Sequence, residues 1–328
     1  MKIWFPMPET NNGAEIFTRQ LSSALSARGI EIVITRYPKY IEAMPWLLAT
    51  IRAPAKIDLI HLNTGSASGF FHHGIPSVIT AHGASERAVY DQHKTFAQRI
   101  YHSILLRPGI QKAVAKATRV TGVSQWLAGV YQREYAACNV DIIHNWVDAD
   151  VFVPIKKPLK RKLLFVGRPA WQKGSHLLPK LSSLLGNEFE ITCTFDKNDW
   201  PVEIPGNIKF AGSIARNKMP ALYQAHDALL VPSIAEGFCL AAVEAMSCGL
   251  PVFGFRGHGL DDAWGPLADK VGVDLPDMEA LSSLIKDVFD QPALYQDISE
   301  LGRHHVRTSF TEAIALEKYL SIYRSIIE

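Results

Sequence analysis

With 328 residues, 48% hydrophobic and 20% charged, the chain has the length of about two domains and the composition of an ordinary globular α/β protein. Cys138, Cys193, Cys239 and Cys248 are scattered without a CxxC pair, which argues against a disulfide framework or a zinc site and fits a reducing cytosol. The start of the chain does not read as a signal peptide, and no apolar run reaches the roughly 18–20 residues of a spanning helix.

The net charge of +2 is unevenly divided. Residues 1–150 carry 15 Lys+Arg against 11 Asp+Glu, and the remainder 19 against 21. The excess gathers in Lys94, Arg99, Arg107, Lys112, Lys116 and Arg119, with Ile100, Tyr101, Ile104, Leu105 and Leu106 among them and no acidic residue between. Such a stretch reads either as a solvated helix face or as a basic amphipathic surface for anionic lipid headgroups. No nucleic-acid motif or aromatic platform accompanies the charge.

In chain order, Lys2–Phe5 reads as a strand and Pro6–Asn12 as a loop. Gly13-Ala14-Glu15 opens a helix with Ile16, Phe17, Leu21 and Leu25 as its apolar stripe and Gly29 as its stop. A glycine at a helix start lets a ligand approach the backbone. Strands follow at Glu31–Thr35, Asp58–Leu62 and Ser77–Thr80, the last with Ala81-His82-Gly83 at its carboxyl end, where open α/β sheets bind ligands. His72 and His73 read as surface. Arg119–Gly122 is a strand before a helix capped by Ser124, and Asp141–Ile143 closes this half. Asp148-Ala149-Asp150 spells D-x-D, a metal-holding pattern elsewhere.

Pro154–Lys162, rich in Pro and Lys, reads as a linker. Strand Leu163–Val166 then leads into Gly167-Arg168-Pro169-Ala170-Trp171-Gln172-Lys173-Gly174. Arg168 and Lys173, five residues apart on a strand-to-helix loop, suit a diphosphate gripped by a guanidinium fork and a point charge. Strands at Ile191–Phe195 and Ile208–Phe210 follow, and Gly212-Ser213-Ile214 leads to a helix around Met219–Ala225.

The most informative stretch is Pro232–Pro251. It follows an apolar strand, Ala228–Val231, and turns into a helix marked by Leu240, Val243, Ala245 and Met246, stopped by Gly249. Glu236 lies in the loop and Glu244 in the helix, about 12 Å further on at 1.5 Å per residue. The spacing suits two ends of one elongated polar ligand. The N–H groups of Gly237, Phe238, Cys239 and Leu240 form a helix N-terminus ready for phosphate. A plain N-cap for Glu236 and a solvated helix face for Glu244 are the bland alternatives. Strand Pro251–Phe255, a Gly257-His258-Gly259 turn and helices at Asp277–Phe289, Pro292–Thr308 and from Thr311-Glu312 complete the chain.

Two glutamates separated by seven residues, preceded by Pro-Ser, followed by Gly-Phe and ending in Glu-Ala-Met-x-x-Gly-x-Pro-Val, resemble the signature of retaining glycosyltransferases with the two-domain GT-B architecture, glycosyltransferase family 4 in particular. Gly13-Ala14-Glu15, with one family glycine replaced, and Asn145-Trp146-Val147-Asp148, with Trp for Gly, are weaker matches. The resemblance covers nearly the whole chain. It implies two doubly wound Rossmann-like domains facing across a cleft. Residues 1–153 form the acceptor side, 154–310 the nucleotide-sugar side, and 311–328 a helix crossing back. The resemblance also makes Asp148-Ala149-Asp150 a hinge rather than a metal site. By this resemblance the donor is held by Gly13, Arg168, Lys173, Gly212, Ile214, Glu236, Gly237, Phe238, Cys239, Leu240 and Glu244. Catalysis falls to Glu236, His82, Arg168 and Lys173.

The expected activity is metal-independent transfer of a hexose, with retention, from a UDP- or GDP-sugar to a glycan or lipid-linked acceptor in cell-surface polysaccharide or lipopolysaccharide synthesis. The expected place is the cytoplasm, or the inner face of the plasma membrane through Lys94–Arg119. No cofactor and no nucleic acid is expected. The alternatives are a catalytically silent scaffold and a GT-B sugar-nucleotide epimerase or hydrolase. A dinucleotide oxidoreductase is disfavoured because no strand leads into G-x-G-x-x-G.

Overall fold

The computed structural model describes every residue except 11–12, 71–73, 85–86, 138 and 201–203. Asn12, His72, His73 and Cys138 therefore lie outside the described residues. The chain divides into two units: Met1–Asn145 with Glu312–Glu328, and Trp146–Thr311.

The first unit holds a six-stranded parallel sheet of β1 (Lys2–Glu9), β2 (Glu31–Pro38), β3 (Leu59–Asn63), β4 (Ser77–Ala81), β5 (Arg119–Gly122) and β6 (Val140–Ile142), in the order β2-β1-β3-β4-β5-β6. The second holds β7 (Lys162–Phe165), β8 (Glu190–Cys193), β9 (Ile208–Phe210), β10 (Ala228–Val231), β11 (Val252–Phe255) and β12 (Gly272–Val273), in the order β12-β11-β10-β7-β8-β9. Strands covered on both faces by helices read as continuous apolar runs. Leu163, Leu164, Leu229 and Leu230 are accordingly buried. In each sheet the chain reverses its direction of winding once, between β1 and β3 and between β7 and β10. Open α/β sheets form their ligand crevice beyond the carboxyl ends of such a pair.

One boundary differs from the sequence expectation. Pro6–Glu9 is not loop but the continuation of β1, in register with β2 from Lys2↔Glu31 to Glu9↔Pro38. On its other side β1 pairs with β3 only through Ile3 and Trp4. Beyond Trp4 that side is an edge, where a proline without N–H removes no ladder bond.

Helix Glu312–Ile327 belongs to the first unit. Its Tyr323 hydroxyl lies 2.6 Å from His61 Nδ1, and His61 Nε2 lies 2.8 Å from Thr80 Oγ1. These polar groups are buried under the sheet and satisfy one another.

The basic stretch folds as helix Phe96–Tyr101, a π-helical turn His102–Leu106 and helix Arg107–Lys116. Thr95 and Gln98 form a capping box at its start. Phe96, Ile100 and Ile104 are 71%, 42% and 65% exposed, so the apolar stripe of this helix lies outside the core. Two of the six cations are already paired, because Asp91 takes both Lys94 at 2.9 Å and Arg107 at 2.5 Å. Among the described residues no helix is long and apolar enough to cross a membrane.

Candidate functional site

In the second unit the loops after β7 and β10 meet at the switch point. Gly174 has φ +68°, and a Cβ there would fall 1.7 Å from the Pro232 carbonyl oxygen. Only glycine permits this approach. Ile234 N–H donates to Gln172 O at 2.8 Å, tying the loops together.

This contact sets Lys173 beside Glu236, with Nζ 2.7 Å from Oε1. Ser233 Oγ donates to the same Oε1 at 2.8 Å. Glu236 Oε2 has no hydrogen-bond partner among the described residues and is left to accept from a ligand. Burial works against the Lys173 charge, but Glu236 outweighs it and holds the ammonium above the ordinary lysine pKa. Arg168 is exposed, close enough for its charge to oppose that of Lys173, and spends no side-chain bond among the described residues.

Glu236 is not an N-cap. The cap of helix Leu240–Ser247 is Cys239, in the left-handed region with φ +70° and with no side-chain bond to the first turn. A non-glycine residue in this region is strained, and such strain gathers at functional sites. At the start of this helix the Ala242 N–H turns back to Cys239 O at 3.1 Å, and the N–H groups ahead of it have no carbonyl within the helix to bind.

Glu244 is buried, and both its oxygens are taken. Arg216 pairs with Oε1, and Tyr223 donates to Oε2 at 2.9 Å. Burial raises its pKa, and Arg216 pulls it back. Arg216 extends the loop that holds Gly212 (φ +68°) and Ile214, and its guanidinium stands 5.3 Å above the Phe152 ring. The structure thus joins Glu244 to the Gly212–Ile214 loop rather than to Glu236. Sequence reading missed Arg216 and Tyr223. The only signal for them is that a buried carboxylate needs a counter-charge, and sequence spacing does not say whose.

His258 is a second omission. Its Nδ1 accepts from Leu260 N–H at 3.2 Å, so Nε2–H donates to Ser233 O at 3.0 Å. Burial lowers its pKa, consistent with that neutral tautomer. Gly259 N–H donates to Glu236 O at 3.0 Å. The glycine-rich turn after β11 therefore braces the Glu236 loop from behind.

In the first unit His82 follows β4. Its Nε2 lies 3.1 Å from Asn63 Oδ1, and Asn63 Nδ2 donates to Thr18 Oγ1 at 3.2 Å. The Phe17 ring packs edge-on at 4.7 Å. Burial lowers the His82 pKa to about 3, so the ring is neutral, with Nε2–H donating to Asn63 and Nδ1 left as an acceptor. Gly13 opens helix Gly13–Ala27, exposed, with nothing within 4 Å of where a Cβ would stand. The buried Glu15 caps it from inside, accepting from Thr10 N–H at 2.6 Å and from Arg19.

Asp148 Oδ1 accepts from the N–H groups of Asp150 and Val151 at 3.0 and 3.2 Å, so Asp148 is engaged in a turn. Among the described residues no group of three His, Cys, Asp or Glu is placed to hold a metal ion.

Two doubly wound parallel sheets, each with polar side chains at its switch point, define the GT-B fold. The sucrose-phosphate synthase of Thermosynechococcus elongatus superposes with a TM-score of 0.84 at 19% identity, over 99% of both chains. The Anabaena protein HepE, solved with UDP-glucose, gives 0.74 at 16% identity, over 99% of this chain and 100% of its own.

The family description "Glycosyltransferase Family 4" matches residues 11–151 and "Glycosyl transferases group 1" matches 148–305. The chain belongs to this glycosyltransferase family. It is 27% identical to the 2-deoxystreptamine glucosyltransferase of Streptomyces kanamyceticus over 72% of this chain and 67% of that one. Against the O-antigen chain mannosyltransferase of Salmonella typhimurium it is 25% identical over 55% and 53%. The chain thus spans about half to two thirds of the length of these curated relatives.

Proposed function

We propose that this protein transfers a hexose, with retention and without a metal ion, from a UDP- or GDP-sugar to a glycan or lipid-linked acceptor of a cell-surface polysaccharide. The observation that carries the reading is the Lys173–Glu236 pair set against an uncapped helix N-terminus at the β7/β10 switch point. Lys173, Arg168 and the N–H groups of Phe238 to Leu240 stabilise the diphosphate as negative charge develops on it in leaving. Three positive elements take the part that a divalent cation plays elsewhere. Glu236 Oε2 accepts from a hydroxyl of the transferred sugar and sets its orientation. Glu244, tied to the Gly212–Ile214 loop through Arg216, holds the ribose hydroxyls with the second lone pairs that Arg216 and Tyr223 leave on its oxygens. Within the first unit, His82, a neutral acceptor at Nδ1, and Gly13 bind sugar hydroxyls.

Glu236, the carboxylate beside the phosphate site, is held through Oε1 by Lys173 and Ser233, and its Oε2 serves a sugar hydroxyl rather than attacking the anomeric carbon. The departing phosphate oxygen then takes the acceptor hydroxyl proton on the same face, which preserves the anomeric configuration. UDP-glucose bound to HepE supports a uridine donor, while the mannosyltransferase relative supports a hexose without naming the base. The exposed stripe of Phe96, Ile100 and Ile104, with Arg99, Lys112 and Lys116 on the same helical segment, gives the protein a surface for anionic membranes and so for a lipid-linked acceptor.

A thermal-shift screen with UDP, GDP, ADP and their sugars tests the donor site without metal. A ligand that binds only the folded state raises Tm by mass action. A shift for one nucleotide family, with transfer rather than hydrolysis on adding acceptor, is the expected result. Binding without turnover under any acceptor would leave a scaffold, and hydrolysis alone a hydrolase.

A further inference from the structure

A cavity of about 690 Å³ lies in the second unit, away from the site just described. Its walls are the segment leading into β7, the His226 turn before β10, the Cys248–Leu250 turn before β11 and the face of helix Pro292–Ser309 from Pro292 to Arg303. It therefore opens at the amino ends of the strands, whereas Lys173 and Glu236 stand at their carboxyl ends. The volume is that of a small-molecule site.

The walls are braced by bonds of their own. Lys157 binds Asp227 at 2.8 Å, Tyr295 donates to Asp227 O at 2.6 Å, and Ser299 to Gly249 O at 2.6 Å. Glu300, exposed, accepts from Gln296 through Oε1 at 2.5 Å. Three further polar groups line the cavity. Arg303, half-buried, and Lys156, exposed, have no hydrogen bond or ion pair among the described residues. His226 donates Nδ1–H to Leu222 O at 2.7 Å, and burial keeps it neutral by lowering its pKa, so Nε2 presents a bare lone pair. Ile155, Leu250 and Pro292 supply apolar surface.

We propose that this cavity binds a small organic phosphate that also carries hydroxyl groups, the chemistry of a sugar phosphate. Arg303 and Lys156 take the phosphate from two sides, His226 Nε2 accepts from a hydroxyl, and the apolar wall receives the ring face. A bare nucleobase satisfies neither cation, and an aliphatic chain wastes all three polar groups. The cavity and the Glu236 loop share helix Leu240–Ser247, which runs from one to the other.

Isothermal titration of the full chain with glucose 6-phosphate, glucose and inorganic phosphate tests the assignment. It reads binding rather than turnover, so it stands or falls apart from the donor assignment. The expected result is one saturable glucose 6-phosphate site, unchanged by saturating UDP and by Lys173→Ala, and weakened at least tenfold by Arg303→Glu and by Lys156→Glu. Neither side chain makes a hydrogen bond or ion pair among the described residues, and thermal melts verify that both variants fold. Glucose must bind at least tenfold more weakly than its phosphate. The proposal is overturned by absence of binding at millimolar concentration, by displacement with UDP, by indifference to both charge reversals, or by inorganic phosphate binding as tightly as the sugar phosphate.

Discussion

Lys173 Nζ lies 2.7 Å from Glu236 Oε1 and joins the loops after β7 and β10 across 63 residues of sequence. The pair has two consequences. The Lys173 side chain is 38% exposed and keeps its charge available to a ligand, while Glu236 holds it in place. Removing either partner misplaces the other.

Lys173→Ala should lower kcat by about 10²–10³, the cost of one preorganised donor to developing charge. Glu236→Ala should lower kcat similarly, while Glu236→Gln keeps the sugar contact and loses the hold on Lys173. Steady-state kinetics with the donor found by thermal shift is the check. Full turnover in both alanine variants would remove the pair from the mechanism.

Arg216→Ala leaves Glu244 buried without its counter-charge. Breaking a fully buried pair costs about 3–5 kcal/mol. Arg216 is 45% exposed, so we expect about 1–2 kcal/mol after solvent screening. The Glu244 pKa is already raised, so its stabilising contribution is full below the ordinary value of 4.5 and is lost as pH rises through the higher folded value. The variant should therefore approach wild-type stability below pH 4.5 and fall furthest behind at neutrality. Urea titrations across this range read the difference, and a pH-independent gap would contradict it.

Desolvation pushes the His61 and His82 pKa down to about 3, His61 also under the influence of His82. A depressed pKa contributes stability above the ordinary 6.5, lost as pH falls toward the folded value. Each neutral histidine adds about 1.4 kcal/mol of slope per pH unit below that point. His61→Gln should flatten the fall in Tm between about pH 6 and 4.5 while costing stability at neutrality. The same logic gives His82 no share in any activity limb near neutral pH. A rate profile that loses its limb in His82→Gln would disprove this.

Gly174→Ala forces a Cβ into the Pro232 carbonyl and asks alanine for φ +68°. The left-handed conformation alone costs about 1–2 kcal/mol. Part of the strain should be relieved by parting the two loops, so donor affinity should fall more than global stability does. Nucleotide titration beside a chemical melt distinguishes this from simple unfolding.

Phe96→Ser with Ile104→Ser should release the protein from phosphatidylglycerol vesicles at low salt and leave the melt unchanged, since both side chains lie mostly in water. Lys94→Gln should matter less than Lys112→Gln, because Asp91 already neutralises Lys94. Failure of the wild-type protein to sediment with anionic vesicles would end the membrane reading.

The strand rhythm, the order of loops along the second unit and the positions of Arg168, Lys173, Glu236 and Glu244 on those loops and the following helix were legible in the residues alone. Continuous apolar runs mark doubly buried strands, and Gly and Pro mark where they stop, so this information is local. Tertiary structure alone decided that β1 runs through Pro6 and Pro8, because only pairing shows which strand side is an edge. It decided that Asp91 pairs with both Lys94 and Arg107, and that His61 and His82 are neutral, because a pKa is set by burial and neighbours. It also chose Arg216 and Tyr223 as partners of Glu244, residues 28 and 21 positions away. Hydrogen bonds between loops depend on how strands are ordered in the sheet, and that order is not written in any one segment of the chain.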